Sequence, residues 1–491
     1  MNLLIRADAN ESIGSGHAMR CFALAMRAQR AGAQVGFVCT DLSAPMVDLL
    51  KGQDVRIQRI DARRGSGRDR ALTTQVAVES GADWVVLDGY AFDEPFRCGL
   101  KDGLRDGGAS LLVIDDRGAP FCCADRILNQ QLYAGAKMYP EVEASRLLLG
   151  PRYLLLRPQF ERWQGWSRPV NEEVRRLLVI SGADPGREFC DVVATLADVV
   201  DPAVTVDVVG VDKDASIERS ERAQRFEFHG HRDQVAQMMA QADMAVSTAG
   251  SLCGELLFMQ LPALLMAVVD NQKPVVTAMA QSSGYVAIDD PGDASTISSL
   301  LALFDDQRLR RKAARQARQR VDGRGASRVY RILKDKMLRL RRCRPGDCRL
   351  LWKWANEPLV RQLAFEQEPI RWDDHRRWFE EKMADPMTHI FIGENRQGQP
   401  LGQVRLDVDR DLQAMISISV DPDFRSGGFG WLLMRRVLEE APQEIEAFHA
   451  YVKPGNKPSL NLFESLQFRC LGAESYKQYR AVHFVTSGPG R

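Results

Sequence analysis

Residues 2–25 read "NLLIRADANESIGSGHAMRCFALA", and the order of their features decides the fold. An apolar run (Leu3, Leu4, Ile5) gives way to Gly14-Ser15-Gly16-His17, and a helix-length segment with Met19, Cys21, Phe22 and Met26 follows. A continuous apolar strand, a glycine turn and a helix make the first half of a parallel βαβ unit. The glycines permit positive φ and close approach of a ligand to the backbone. The helix start then offers N–H groups and a positive dipole end to an anion such as a diphosphate. His17 falls in that first turn, where the helix end disfavours the imidazolium and leaves a ring able to accept a proton. A tight turn with an incidental surface histidine would give the same pattern, and one GxGH does not decide between them.

Outward from this stretch the same grammar repeats. "AQVGFVC", "DWVVLDGY", "SLLVIDD" and "RILNQ" alternate with helix-length segments up to about residue 155. A second set starts near residue 175 with "RRLLVISGAD", "VTVDVVG", "RFEFHG", "MAVSTAG" and "PALLMAV". Such unbroken apolar runs belong to parallel sheets covered on both faces, so each set predicts a Rossmann-like lobe. The basic "DDQRLRRKAARQARQRVDGRGASRVYRIL" reads as a helix with a solvated face. Near Leu340 the pattern changes to "WKWANEP" and "RWDDHRRWF", then to two apolar runs around the hairpin signal "NRQGQP". The expected domains are residues 1–155, 156–338 and 339–491: two α/β lobes followed by an α+β domain.

Composition narrows the functional classes. A chain of 491 residues is too long for one core, and 66 Lys+Arg against 65 Asp+Glu give no electrostatic case for nucleic acid or an anionic membrane. No apolar run reaches a bilayer span, and "MNLLIRADAN" lacks the features of a signal peptide, so a cytoplasmic enzyme is expected. Ten cysteines without a CxxC pair are expected to be reduced thiols. The close pair His229 and His231 is expected to belong to a loop, and no metal site is expected.

The strand end with Arg6 and Asp8, the IGSGH loop (Gly14, Gly16, His17) and Arg20 resemble the UDP-sugar hydrolase of pseudaminic acid synthesis. The likeness continues through "VVLDGY" (Asp88, Tyr90), "VIDDRG" (Asp115, Asp116), "ISGADP" (Ser181, Gly182, Asp184), "STAGSLCGELL" (Gly250, Ser251, Glu255) and "DNQ" (Asn271, Gln272). The resemblance spans roughly residues 1–335. It implies a two-lobed glycosyltransferase B-like architecture and release of UDP from UDP-2,4-diacetamido-2,4,6-trideoxy-β-L-altropyranose. His17 would be the general base. Arg6, Asp8, Gly14, Gly16, Arg20, Asp88, Tyr90, Asp115, Gly182, Gly250, Ser251, Glu255, Asn271 and Gln272 would contact the UDP-sugar. Physical chemistry agrees with several of these roles. Gly250 and Ser251 would present N–H groups to a diphosphate, and Glu255 would accept from ribose hydroxyls. Asp88 and Asp115, at the carboxyl ends of parallel strands, fall where such sheets bind ligands, although each also suits a plain helix cap.

The last domain has its own signature. "ISISVDPDFRSGGFGWLLMRRVLEEA" holds R-x-x-G-x-G (Arg425, Gly428, Gly430) between a strand ending at Val420 and an amphipathic helix, a turn suited to pyrophosphate. Asp421-Pro422 is expected to remove a ladder donor and splay the strand from its neighbour, opening an edge for an amide-bearing ligand. With "VKPGNKPSLNLFESLQF" downstream, residues 340–480 resemble the GCN5-related N-acetyltransferases. That resemblance implies acetyl-CoA held by Val420, Arg425, Gly428, Gly430 and Asn456. Where the family often carries a tyrosine that protonates the leaving thiolate, this chain has Phe463, which turns attention to Tyr451, Ser459 or a water. In the pseudaminic acid route such an enzyme acetylates the 4-amine of the UDP-amino-sugar that the hydrolase then cleaves. The expectation is one chain for two consecutive steps. A glycosyltransferase of the same architecture and a non-catalytic nucleotide-sugar sensor are the alternatives.

Overall fold

Strands β1 (Asn2–Arg6), β2 (Gln34–Cys39), β3 (Arg56–Arg59), β4 (Trp84–Asp88), β5 (Ser110–Ile114), β6 (Arg126–Asn129) and β7 (Leu147–Leu149) form one sheet in the order β3-β2-β1-β4-β5-β6-β7. Every neighbouring pair is parallel. The central strands β4 and β5 are buried throughout, which is why they read as unbroken apolar runs. A second parallel sheet has β8 (Arg176–Ile180), β9 (Thr205–Val209), β10 (Phe226–His229), β11 (Met244–Thr248), β12 (Ala263–Met266) and β13 (Val286–Ile288), ordered β10-β9-β8-β11-β12-β13. Both sheets reverse their winding direction beside their first strand, at β1/β4 and at β8/β11. The crevice outside the carboxyl ends of such a pair is where Rossmann-like sheets take ligands.

The computed structural model describes residues 1–10, 13–119, 122–182, 186–211, 226–229, 234–288, 306–335, 338–395, 398–425 and 428–488. Its two compact units are Met1–Arg331 and Ile332–Arg491. Among the described residues no helix is long and apolar enough to cross a membrane.

Three expectations need correction in the first unit. The basic segment forms two helices, Gln307–Arg320 and Gly325–Asp335, and its charge is not all solvated. Arg310 is buried and donates to the carbonyls of Asn171 and Glu172 at 3.0 and 2.6 Å. The cysteines are not all thiols, because Cys98 and Cys123 are disulfide-bonded. That bond ties the helix Glu94–Gly103 to the segment between β5 and β6. His229 ends strand β10 and pairs with Asp207 Oδ1 at 2.8 Å, while Arg176 takes Asp207 Oδ2 at 2.7 Å; His231 lies outside the described residues.

The second unit is one sheet of β14 (Arg339–Arg342), β15 (Thr388–Glu394), β16 (Pro400–Val408), β17 (Gln413–Val420), β18 (Ala447–Val452), β19 (Arg469–Tyr476) and β20 (Tyr479–Ser487), ordered β14-β15-β16-β17-β18-β20-β19. Its neighbours are antiparallel except β17 and β18, which run parallel. The helix Phe429–Glu440 buries Leu432, Leu433, Met434 and Val437 against Leu406, Ala414, Phe448 and Phe484.

Candidate functional site

The crevice beside β1 and β4 gathers the first group of polar residues. Gly14 has φ +69° and closes a short turn with its N–H on Asn10 O, a geometry that favours glycine. Gly16 opens the helix Gly16–Arg30, and the space its Cβ would enter is empty, so the helix start is open to a ligand. His17 follows with Nδ1 at 2.7 Å from Asp88 Oδ1 and 3.2 Å from Arg20 Nη2. A guanidinium cannot accept and an ionised carboxylate cannot donate, so the proton resides on Nδ1 and is donated to Asp88. In the neutral ring the lone pair is then on Nε2, where it can take a proton from elsewhere.

Asp88 closes β4 and is itself clamped. Arg20 donates to it through Nε and Nη2 at 2.6 and 2.7 Å and reaches Asp116 through Nη1 at 2.9 and 2.8 Å. Burial opposes the charge on Asp88, but Arg20 and His17 outweigh it and hold the carboxyl well below the usual range. Tyr90 stands over the group. Its ring meets His17 edge-on at 4.6 Å, its hydroxyl donates to Asp116 at 3.3 Å, and Arg117 lies 4.1 Å over its face. Burial and then Asp116 push the Tyr90 phenol up to about 12, so it acts as a donor and not as an anion.

Other expected contacts prove to be framework. Arg6 is fully buried, its guanidinium bound to Asp69 at 2.9 and 2.8 Å and to Asp8 at 2.7 Å. Asp8 spends its other oxygen on the N–H groups of Thr40 and Asp41 and on the Thr40 hydroxyl. Both side chains are buried and engaged inside the lobe. Asp115 likewise accepts from Gly118 N and from the Tyr139 hydroxyl at 2.9 and 2.8 Å, so the carboxylate that joins the cluster is its neighbour Asp116.

In the second lobe, the ends of β8 and β11 come together. Thr248 Oγ1 donates to Ser181 Oγ at 3.2 Å, and a Cβ on Gly182 would touch Leu252 at 3.5 Å. Gly250 has φ +129° and ψ −142°, a conformation essentially reserved for glycine. Gln272 Nε2 lies 3.8 Å from where a Gly250 Cβ would be, and Gln272 Oε1 accepts from Val268 N at 3.0 Å. Ser251 begins the helix Ser251–Phe258, exposed. Asn271 shares a 3-10 turn with Gln272, its side chain outside the described set, as is Asp184. Glu255 is buried and paired by both oxygens with Arg157 Nε and Nη2, each at 2.5 Å. Arg157, one of several arginines in the segment joining the lobes, carried no local sequence signal.

The second unit holds the other group. The parallel pairing of β17 with β18 covers Gln413↔Ala447, Ala414↔Phe448 and Met415↔His449 and then stops. Beyond that point β17 stays with β16 as far as Val420↔Gly402, and β18 stays with β20 as far as Val452↔Val482. The strands part as expected, but not because of Pro422, which stands beyond the strand in a 3-10 turn. Gly428, at φ +78°, is the N-cap of the helix Phe429–Glu440, and a Cβ on Gly430 would touch Val420 at 3.4 Å. Arg425 donates to Val420 O at 3.1 Å and to Glu357 at 2.7 Å, which makes it a brace of the loop rather than a free phosphate ligand. Asn456 caps the helix Lys457–Ser465 through Ser459 N. Phe463 is buried between Phe468 and Phe484 and offers no group that could protonate a thiolate.

Residues 351–468 match the Acetyltransferase (GNAT) family, and the C-terminal unit thus carries a GNAT acetyltransferase domain. Over most of its length the chain is similar to an uncharacterized protein of Methanocaldococcus jannaschii, 20% identical over 490 residues, 96% of this chain and 97% of that one. The spore coat polysaccharide biosynthesis protein SpsG of Bacillus subtilis is 23% identical over 247 residues, 48% of this chain and 72% of the relative. Among solved structures, spermidine N-acetyltransferase from Vibrio cholerae in complex with CoA and spermine is similar at 21% identity and a TM-score of 0.29, over 31% of this chain and 96% of that chain.

Proposed function

We propose that the chain is a bifunctional enzyme of nonulosonic acid synthesis, with a UDP-sugar hydrolase in its two Rossmann-like lobes, arranged as in glycosyltransferase B enzymes, and an acetyl-CoA-dependent N-acetyltransferase in its last domain. The observation that carries the hydrolase reading is His17, whose Nδ1–H is fixed on Asp88 so that Nε2 is the base. In this reading Nε2 takes a proton from water as the oxygen attacks the anomeric carbon. The C–O bond to the diphosphate then breaks, and UDP leaves toward the N–H groups of the glycine loops. Similarity to a polysaccharide biosynthesis protein supports a sugar substrate. The acetyltransferase reading rests on the family match, the parted strands and the left-handed Gly428, with the 4-amine of a UDP-4-amino-sugar as acceptor.

Purified protein given UDP-2,4-diacetamido-2,4,6-trideoxy-β-L-altropyranose and water alone is the test. Steady UDP release supports a hydrolase, dependence on an added sugar acceptor means a glycosyltransferase, and binding without turnover means a sensor. Mass spectrometry of UDP-4-amino-sugars incubated with acetyl-CoA reads the other half.

Glu255 bears on the nucleotide. Its oxygens, each with a second lone pair beside the bond to Arg157, would receive the ribose hydroxyls. Glu255→Ala is expected to weaken UDP binding by about 1.5–3 kcal/mol, measured by calorimetry. Unchanged affinity would reduce Glu255 to a partner for Arg157.

A further inference from the structure

Four side chains form a row across the second unit's sheet, one from each of four neighbouring strands, joined by two hydrogen bonds and an ion pair. Gln413 on β17 meets His449 Nε2 through Oε1 at 3.0 Å, His449 Nδ1 meets His483 Nε2 on β20 at 2.8 Å, and His483 Nδ1 meets Glu474 on β19 at 2.7 Å. Both ends of the row are acceptors, because Gln413 Nε2 is already donated to Asp411 O and Glu474 is a carboxylate. Three links between two acceptor ends need three N–H protons on four ring nitrogens. Two neutral imidazoles supply two. The complete row is therefore an imidazole–imidazolium pair balanced by Glu474, and removal of one proton opens one link.

The place of this row matters. His449 is the last residue of β18 paired with β17, so the row ends where the strands part. Tyr451, two residues on along the parted stretch, stacks on His483 at 4.3 Å and on Tyr476 at 4.1 Å, and burial first, then the nearby Glu474, raises its phenol. The groups that face the rings are Glu474, Asp409 and Tyr451; burial first, and then His483, lowers His449, while Asp409 and Glu474 act the other way.

We propose that the His449–His483 pair is the proton acceptor for amine acetylation, a role that rests on the acetyltransferase reading above. The amine nitrogen forms a bond to the thioester carbonyl carbon, the C–S bond breaks, and the CoA thiolate takes a proton from water, whose hydroxide is neutralised when the ring pair later returns the amine's proton to solvent. The proton released by the amine passes by way of Tyr451 and Glu474 to the ring pair, and its arrival completes the row.

The experiment uses the full-length protein, acetyl-CoA and a UDP-4-amino-sugar. In the wild type the acetylation rate rises with pH as the pair loses its shared proton. In His449→Gln and His483→Gln that inflection disappears, and kcat at neutral pH falls about 10²-fold with the KM for acetyl-CoA unchanged. Variants that fold, bind acetyl-CoA and keep the wild-type rate and pH profile would overturn the proposal. Histidine-selective ¹⁵N NMR decides it without activity. One proton shared by both rings, released at lower pH in Glu474→Gln, supports the pair; two rings titrating independently refute it. Absence of acetylation in the wild type with a shared proton intact would instead count against the acetyltransferase reading.

Discussion

UDP release by His17→Ala is expected to fall about 10²–10⁴-fold while UDP affinity stays close to the wild-type value. The size follows from the role, because a positioned base contributes that much and nothing else in the cluster replaces it. Asp88 and Asp116 are tied to Arg20, and the Tyr90 phenol stays protonated. Nor should the loss be one of folding. Removing the imidazole does not orphan the buried carboxylate of Asp88, which keeps two bonds from Arg20 at 2.6 and 2.7 Å. Single-turnover release of UDP, with calorimetric binding of UDP as control, is the measurement. A variant that keeps more than about a tenth of the hydrolysis rate would remove His17 from the role of base.

The second large effect is expected at Gly428. A glutamate there would put an anion at the start of the helix Phe429–Glu440, where a pyrophosphate has to approach the backbone. Like charges so placed cost several kcal/mol, so acetyl-CoA binding should weaken about 10²-fold or more. The left-handed backbone of Gly428 complicates the comparison, since any side chain at φ +78° brings strain. Gly428→Asn supplies the control, because asparagine tolerates that conformation and carries no charge. The asparagine variant should bind acetyl-CoA measurably and the glutamate variant should not. Hydrolysis of substrate already acetylated should continue in both; its loss in a folded Gly428→Glu protein would mean that the two activities are coupled.

Much of this was legible in the sequence, for local reasons. β4, β5, β8 and β11 are buried along almost their whole length and appear as uninterrupted apolar runs. The IGSGH and TAGSLCGE stretches show their strand, turn and helix in order. What was not legible depends on partners far away in the chain. Arg6 and Asp8 look like ligand contacts until Asp69, 63 residues on, claims the guanidinium. Glu255 gives no hint of Arg157, and Cys98 none of Cys123. Asp115 and Asp116 are chemically alike, and the choice between them turned on Tyr139 and Arg20, which no local pattern places.

The parted strands β17 and β18 also create an edge in the middle of a sheet. From Ile416 to Val420, alternate backbone groups of β17 face β18 without a ladder, although they belong to a strand held firmly by β16 on its other side. An unpaired edge is ordinarily an invitation to another chain, and here it is sheltered by position between two strands instead of by charge or proline. Its amides should accordingly exchange with solvent deuterium much faster than those of β16 in the free protein. Acetyl-CoA should slow them and leave the rest of the sheet unchanged. Hydrogen exchange would then show a ligand serving as the missing segment of a strand, and uniform protection before and after binding would show that the opening is already filled.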